Sequence, residues 1–182
     1  MSASGGALAR NYAEALLELA EQSGELESFG QFIEVTARAV EGSPQVTAAL
    51  MSPKVPKAAK SEILGNALTQ VGAPRSFVLF LQAVIRRGRQ GMFGPIATAY
   101  RELLDEKQNR VRAVVTVARV PDGALERAIE SALVRLLDKE VVASFSVDPS
   151  ILGGAIVRVG DRVYDGSVRR SLVRLRRQLL SK

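Results

Sequence analysis

The sequence predicts a mainly α-helical protein with a small α/β part. An N-terminal antiparallel bundle of six helices spans residues 1–105, and a β-α-β-β-β-α domain spans residues 106–182. Three observations carry this. Apolar residues recur at helical spacing through the first hundred positions. At Val111 the pattern switches to a β-branched run, VRAVVTVARV. Near the C-terminus two further β-branched runs flank Gly160-Asp161, and a glycine first in a two-residue turn suits a type II′ hairpin, where that position takes φ > 0.

In the first helix Leu8, Tyr12, Ala15, Leu16 and Leu19 form one apolar stripe, and Gly24 ends it. Leu26, Phe29, Ile33, Ala37 and Val40 continue the pattern in a second helix that stops near Gly42. Ser43-Pro44 is an N-cap followed by proline at the first helical position, opening a short third helix to about Met51. Pro53 and Pro56 break the chain before a fourth helix with Ala59, Ile63 and Ala67, which ends before Gly72. A fifth helix starts at Ala73-Pro74 and is apolar almost all round from Phe77 to Ile85. Such a helix is central to its bundle or turns a second apolar face to a partner; burial is the favoured reading. Phe93, Ile96, Tyr100, Leu103 and Leu104 mark a sixth helix to about Gln108, and the brief connections imply antiparallel packing.

In the second domain, Val111 to Val120 reads as a strand and Pro121-Asp122 as the start of a helix with Leu125, Ile129, Leu133, Leu136 and Leu137 on one side. Val141, Ala143, Phe145 and Val147 alternate with serines in a half-buried strand. In the hairpin, Val159 faces Arg162, Arg158 faces Val163 and Val157 faces Tyr164, which leaves Arg158 and Asp165 on a diagonal that allows an ion pair. Gly153-Gly154 turns the chain into the hairpin, Asp165-Gly166-Ser167 leaves it, and Ser167 caps a last helix from Val168. On that helix Val168, Leu172, Leu175 and Leu179 fall within about 60° of one another, a stripe expected to hold it to the hairpin. Arg169, Arg170, Arg174, Arg176 and Arg177 occupy the other side.

The chain has 182 residues, 47% hydrophobic and 24% charged, which suits a globular protein with a buried core. No apolar run approaches a membrane span, and the start lacks the basic-then-apolar pattern of a secretory signal. The absence of Cys and His excludes disulfides, thiolate or imidazole metal ligands and Ser-His-Asp chemistry, and nothing implies a cofactor. Gly88-Arg-Gln-Gly91-Met-Phe-Gly94 lacks the GxxxxGK[ST] spacing and reads as a linker rather than a phosphate cradle. Asp105 and Glu106 are adjacent on a helix and do not converge as a catalytic pair.

Charge is unevenly placed. Six of the 25 basic residues follow Ser167, leaving 19 against 19 acids, so the last helix supplies the whole net +6. Glu14, Glu18, Glu21, Glu25, Glu27 and Glu34 make the N-terminal stretch acidic, while Lys54, Lys57, Lys60, Arg75, Arg86, Arg87 and Arg89 make the middle basic. Lys54, Lys57 and Lys60 are expected to be exposed. The high pI of about 10.1 raises a nucleic-acid-binding module as an alternative. Against it, the nine aromatics are not interleaved with basic residues and no helix-turn-helix pattern occurs.

Asp148, Ile151, Gly153-Gly154, Val157, Arg158, Gly160-Asp161 and Asp165-Gly166-Ser167-Val168 stand in the order of a known signature. The stretch resembles that of the F-type ATP synthase delta subunit, the family of the mitochondrial oligomycin-sensitivity-conferring protein. The helical-then-α/β plan, Ala9-Arg10 before Tyr12 with Ala13 after it, and Gly88-Arg89 are similar too. Gln90 replaces a usual aliphatic residue, and Gly94-Pro95 is shifted.

The resemblance implies a non-catalytic stator connector, one copy per complex, that resists rotary torque during proton-driven ATP synthesis. Its helical domain would sit on the catalytic head and grip the N-terminal helix of an alpha subunit. The groove would lie between helices one and five, with Tyr12, Ala15, Leu16, Leu79 and Ala83 as walls. Its C-terminal domain would hold the end of the b-subunit stalk, with Arg169, Arg170, Arg174 and Arg177 meeting acidic residues. Gly153, Gly154, Gly160, Asp161, Asp165, Gly166 and Ser167 would be structural. No nucleic acid would bind, and membrane contact would be indirect, on the cytoplasmic face of a bacterial plasma membrane.

Overall fold

The computed structural model describes residues 3–180, with side-chain environments for 5–177. The chain divides into two compact units, Met1–Leu104 and Asp105–Lys182. In the first unit, helices α1 (Ala3–Ser23), α2 (Leu26–Gly42), α3 (Pro44–Met51), α4 (Lys57–Gln70), α5 (Arg75–Arg86) and most of α6 (Phe93–Lys107) pack around one core. Each boundary has a local cause. Gly24, Gly72 and Gly88 take positive φ after α1, α4 and α5, and the Ser43 hydroxyl accepts the Val46 amide at the start of α3. A 3-10 turn, Gln90–Met92, leads into α6.

The core is aromatic at its centre. Phe29 and Phe77 meet edge-on with centroids 5.6 Å apart, and Phe32 lies 5.6 Å from Phe77. Tyr100 is buried against α2, where Gly30 makes room for its ring, and its hydroxyl donates to the Leu26 carbonyl at 2.8 Å. Burial, with Glu27 and Glu21 adding to it, pushes the phenol pKa far up and keeps that donor protonated.

In the second unit β1 (Arg110–Val117), α7 (Gly123–Leu137), β2 (Glu140–Val147), β3 (Ala155–Val159), β4 (Arg162–Asp165) and α8 (Val168–Leu180) follow in order. The sheet order is β2-β1-β3-β4, with β1 parallel to β2 across the α7 crossover and antiparallel to β3. Ala113, Val115, Val117, Leu133 and Val157 form its core. Asp122 caps α7 through the Leu125 amide at 2.8 Å. Asp105, nearly buried, accepts from Arg110 at 3.1 Å and Arg112 at 2.6 Å, fixing the start of β1.

Three expectations need correction. β1 stops at Val117, so Val120 lies outside the sheet and is exposed. On α7 the inward side is narrower than the leucine spacing implied: Leu133 is buried, but Leu125 and Leu136 are exposed because a four-stranded sheet covers only one stripe of the helix. Arg158 does not pair with Asp165, whose carboxylate lies 3.6 Å from Arg170 instead.

The hairpin keeps the expected register, Val159↔Arg162, Arg158↔Val163 and Val157↔Tyr164, with Gly160 at φ +55°. Gly154, at φ +75°, lies so close to the Gly166 carbonyl that a Cβ would overlap it. The Gly166 amide donates to Ala155 O at 3.0 Å and the Val168 amide to Gly153 O at 3.0 Å, tying the entry of the hairpin to its exit. Ser167 is buried and caps α8 by accepting the Arg170 amide at 3.2 Å.

Candidate docking surfaces

The first surface lies where α1 meets α5. Tyr12 and Phe80 are half-buried and meet edge-to-face with centroids 6.3 Å apart. Around them Ala15 and Ala83 are exposed, and Leu79 is 54% exposed. These five make an apolar face in which two alanines permit close approach of another backbone. Leu16 is not part of it. At 0% exposed it lies in the bundle core and supports the face from beneath. The strip is wider on α5 than the sequence implied, because Phe80 was not anticipated. Its signal was present: Leu79, Phe80 and Ala83 together subtend a face that Phe77, Val78, Leu81, Val84 and Ile85 leave free.

The second surface is α8. Its apolar stripe does not pack on the hairpin as expected. Val168 touches the Gly153 turn, but Leu172 is 55% and Leu175 56% exposed, and Val173 is also exposed. Leu179 falls outside the residues whose side chains are described. Among the described residues α8 is held by the Ser167 cap, by Val168 and by the neighbouring Pro149–Ile151 turn, and this leaves Leu172, Leu175 and the arginines exposed. Arg169, Arg174 and Arg177 are exposed, while Arg170 is partly engaged by Asp165.

Two carboxylates hold the joint beneath α8. Asp165 accepts the Ser167 amide at 3.0 Å and Asp148 the Ser150 amide at 2.9 Å. Hydrogen bonds from Ser167, helped by Arg170, hold the Asp165 pKa below its ordinary value, and those from Ser150, helped by Arg169, do so for Asp148. A carboxylate with a lowered folded pKa contributes stability above its unfolded pKa and loses it as pH falls through the folded one. Unfolding midpoints of the second unit are therefore expected to drop as pH falls below about 4. The drop should be shallower in Asp165→Asn, which keeps an acceptor but cannot titrate. Equal acid sensitivity in both proteins would remove Asp165 from this role.

A third apolar surface lies among α2, α3 and α4, a groove of about 410 Å³. Lys60 lines it and is buried at 6% exposed, against the expectation that it is a solvated lysine. Lys54 and Lys57 are exposed as expected. Among the described residues no group of His, Cys, Asp and Glu is arranged to hold a metal, and no helix is long and apolar enough to cross a membrane.

A family model described as the ATP synthase delta (OSCP) subunit matches residues 8–179. The chain belongs to that family. ATP synthase subunit delta of Gemmatimonas aurantiaca is 42% identical over 175 residues, covering 96% of this chain and 94% of the relative. That of Anaeromyxobacter sp. strain Fw109-5 is 38% identical over 177 residues, covering 96% and 97%. The fold matches a chain in the structure of the Toxoplasma gondii mitochondrial ATP synthase hexamer, with a TM-score of 0.68 and 22% identity over 95% of this chain and 97% of that one. As a member of the delta (OSCP) family, the protein is a structural, non-catalytic part of ATP synthase that connects elements of its stator. Its association with the membrane is through that complex.

Proposed function

We propose that the two open surfaces are the two ends of the connector, on the cytoplasmic side of the membrane. The α1/α5 face seats the amphipathic N-terminal helix of an alpha subunit, and α8 holds the C-terminal end of the b-subunit stalk. The observation that carries this reading is the open stripe of α8. A helix that keeps Leu172, Val173 and Leu175 in water, beside a set of arginines without a single acid, is built to be covered by an apolar and acidic partner. The α1/α5 face supports the other half, with apolar walls and alanines suited to a helix laid in a groove.

At each site three or four apolar anchors contribute roughly 1.5–3 kcal/mol apiece, against association costs of about 4–15 kcal/mol. Each contact alone is thus moderate, and joining both through one chain raises the effective concentration of the second.

The test titrates two ligands, an N-terminal peptide of the alpha chain and a C-terminal fragment of the b chain, against three variants. Ala83→Trp is expected to weaken the peptide about tenfold or more and leave the b fragment unchanged. Leu172→Asp with Leu175→Asp should do the converse. Arg174→Glu with Arg177→Glu should weaken the b fragment mainly at low salt, where the Debye length is longest. Normal peptide binding by Ala83→Trp, or normal b binding by the α8 variants, would place the partner elsewhere.

A further inference from the structure

The helical unit divides its charge. Residues 1–41 carry seven acids and two bases, whereas residues 42–104 carry eight bases and two acids. Five of those bases meet at one end of the bundle. Lys54 lies in the loop before α4, Lys57 in the first turn of α4, and Arg86, Arg87 and Arg89 at the end of α5. Long-range hydrogen bonds bring these segments together: Lys57 donates to the Arg86 carbonyl at 3.2 Å, and Gln90 to the Leu50 carbonyl at 3.1 Å. Gly88, at φ +70°, closes α5 in one sharp turn that the three arginines flank, with the Lys57 ammonium beside it.

All five are exposed, and among the described residues none of them makes an ion pair. The only acid between Gly42 and Tyr100 is Glu62. The dipole of α5 favours cations at its C-terminus, but that of α4 disfavours Lys57 in its first turn, so helix stability does not account for the group. Clustered like charges instead set up a potential that draws in a surface of opposite sign. We propose that this end of the bundle is a third docking surface, which seats an acidic protein surface of the catalytic head in addition to the alpha-subunit helix. The proposal rests on the reading that the helical unit sits on the head. Nucleic acid fits less well, because bases need rings to stack on and Phe93, the nearest ring to Arg89 along the chain, is buried. A lipid surface fits less well too, since the protein reaches the membrane through its complex.

The test measures binding of the full chain to catalytic head particles stripped of this subunit. Arg86→Gln with Arg87→Gln and Arg89→Gln keeps most of each aliphatic stem and removes three charges. Its affinity for the head is expected to fall about tenfold at about 0.05 M salt and to approach that of the wild type near about 1 M, where the Debye length is about 3 Å. The isolated alpha N-terminal peptide should bind this variant normally, which also shows that the bundle is folded. A charge-matched control, Arg119→Gln with Arg127→Gln and Arg135→Gln, alters three exposed cations of the second unit and should bind the head as the wild type does. Ala83→Trp separates this proposal from the groove reading, since it should weaken peptide and head together, whereas the arginine variant weakens the head alone. If Ala83→Trp binds the peptide normally while the arginine variant loses the head, the groove reading fails and this one stands. Normal head binding by the arginine variant would overturn the proposal, as would an equal loss in the control, because net charge would then be the cause. Loss of the peptide along with the head would return these arginines to the α1/α5 face. Head binding that holds while binding to duplex DNA or anionic vesicles is lost would assign the surface to those instead.

Discussion

Replacing Gly154 by valine is expected to destabilise the second unit by about 3–5 kcal/mol while the helical unit keeps its stability. Two terms add. The φ of +75° is a left-handed conformation, costing an L side chain about 1–2 kcal/mol, and the new Cβ overlaps the backbone carbonyl of Gly166, which cannot swing away as a side-chain tip does. That carbonyl belongs to the segment that caps α8, so the damage spreads to that helix. Urea unfolding with hydrogen exchange read separately for β3, β4 and α1–α6 measures it. Gly123→Ala is the control, since its Cβ would meet nothing within 4 Å. A loss at Gly154 below about 1 kcal/mol would contradict the geometry.

Phe77→Ala is expected to cost the helical unit about 3–5 kcal/mol. The ring is fully buried between Phe29 and Phe32, and neither can fill the space without leaving its own contacts. The consequence is functional too, since Phe77 seats the α5 helix that carries Leu79, Phe80 and Ala83. Alpha-peptide affinity should fall along with the unfolding midpoint, whereas binding of the b fragment should hold. Unchanged peptide affinity in a clearly destabilised protein would show that the α1/α5 face does not depend on how α5 is seated.

What the sequence disclosed depended on how local the cause was. The hairpin register followed from Gly160-Asp161 alone, and the caps at Ser43, Asp122 and Ser167 followed from side chains acting within three residues. Leu79 and Ala83 were legible as surface positions because helix five carries more apolar residues than one core face absorbs, whereas Tyr12, on helix one, was a candidate only through the family resemblance. Leu16 was misread because helical periodicity gives a stripe but not its inner and outer edges. The α8 stripe was misread for a deeper reason: amphipathicity says that a face needs covering and not what covers it. Lys60 was the least legible, since its burial depends on how α2, α3 and α4 converge, which no spacing in α4 records.

The position of β1 at the centre of its sheet has a consequence during synthesis. Its partners are Glu140–Val147 and Ala155–Val159, made tens of residues later. At about 5–20 residues per second, β1 is complete about 1.5–6 s before β2 and about 2–8 s before β3. In that interval the nascent chain carries an unpaired β-branched run, the kind of segment that joins other chains edge to edge. Arg110 and Arg112 stand at its head: before Asp105 engages them their charges act as gatekeepers against premature association, and afterwards they anchor the finished strand.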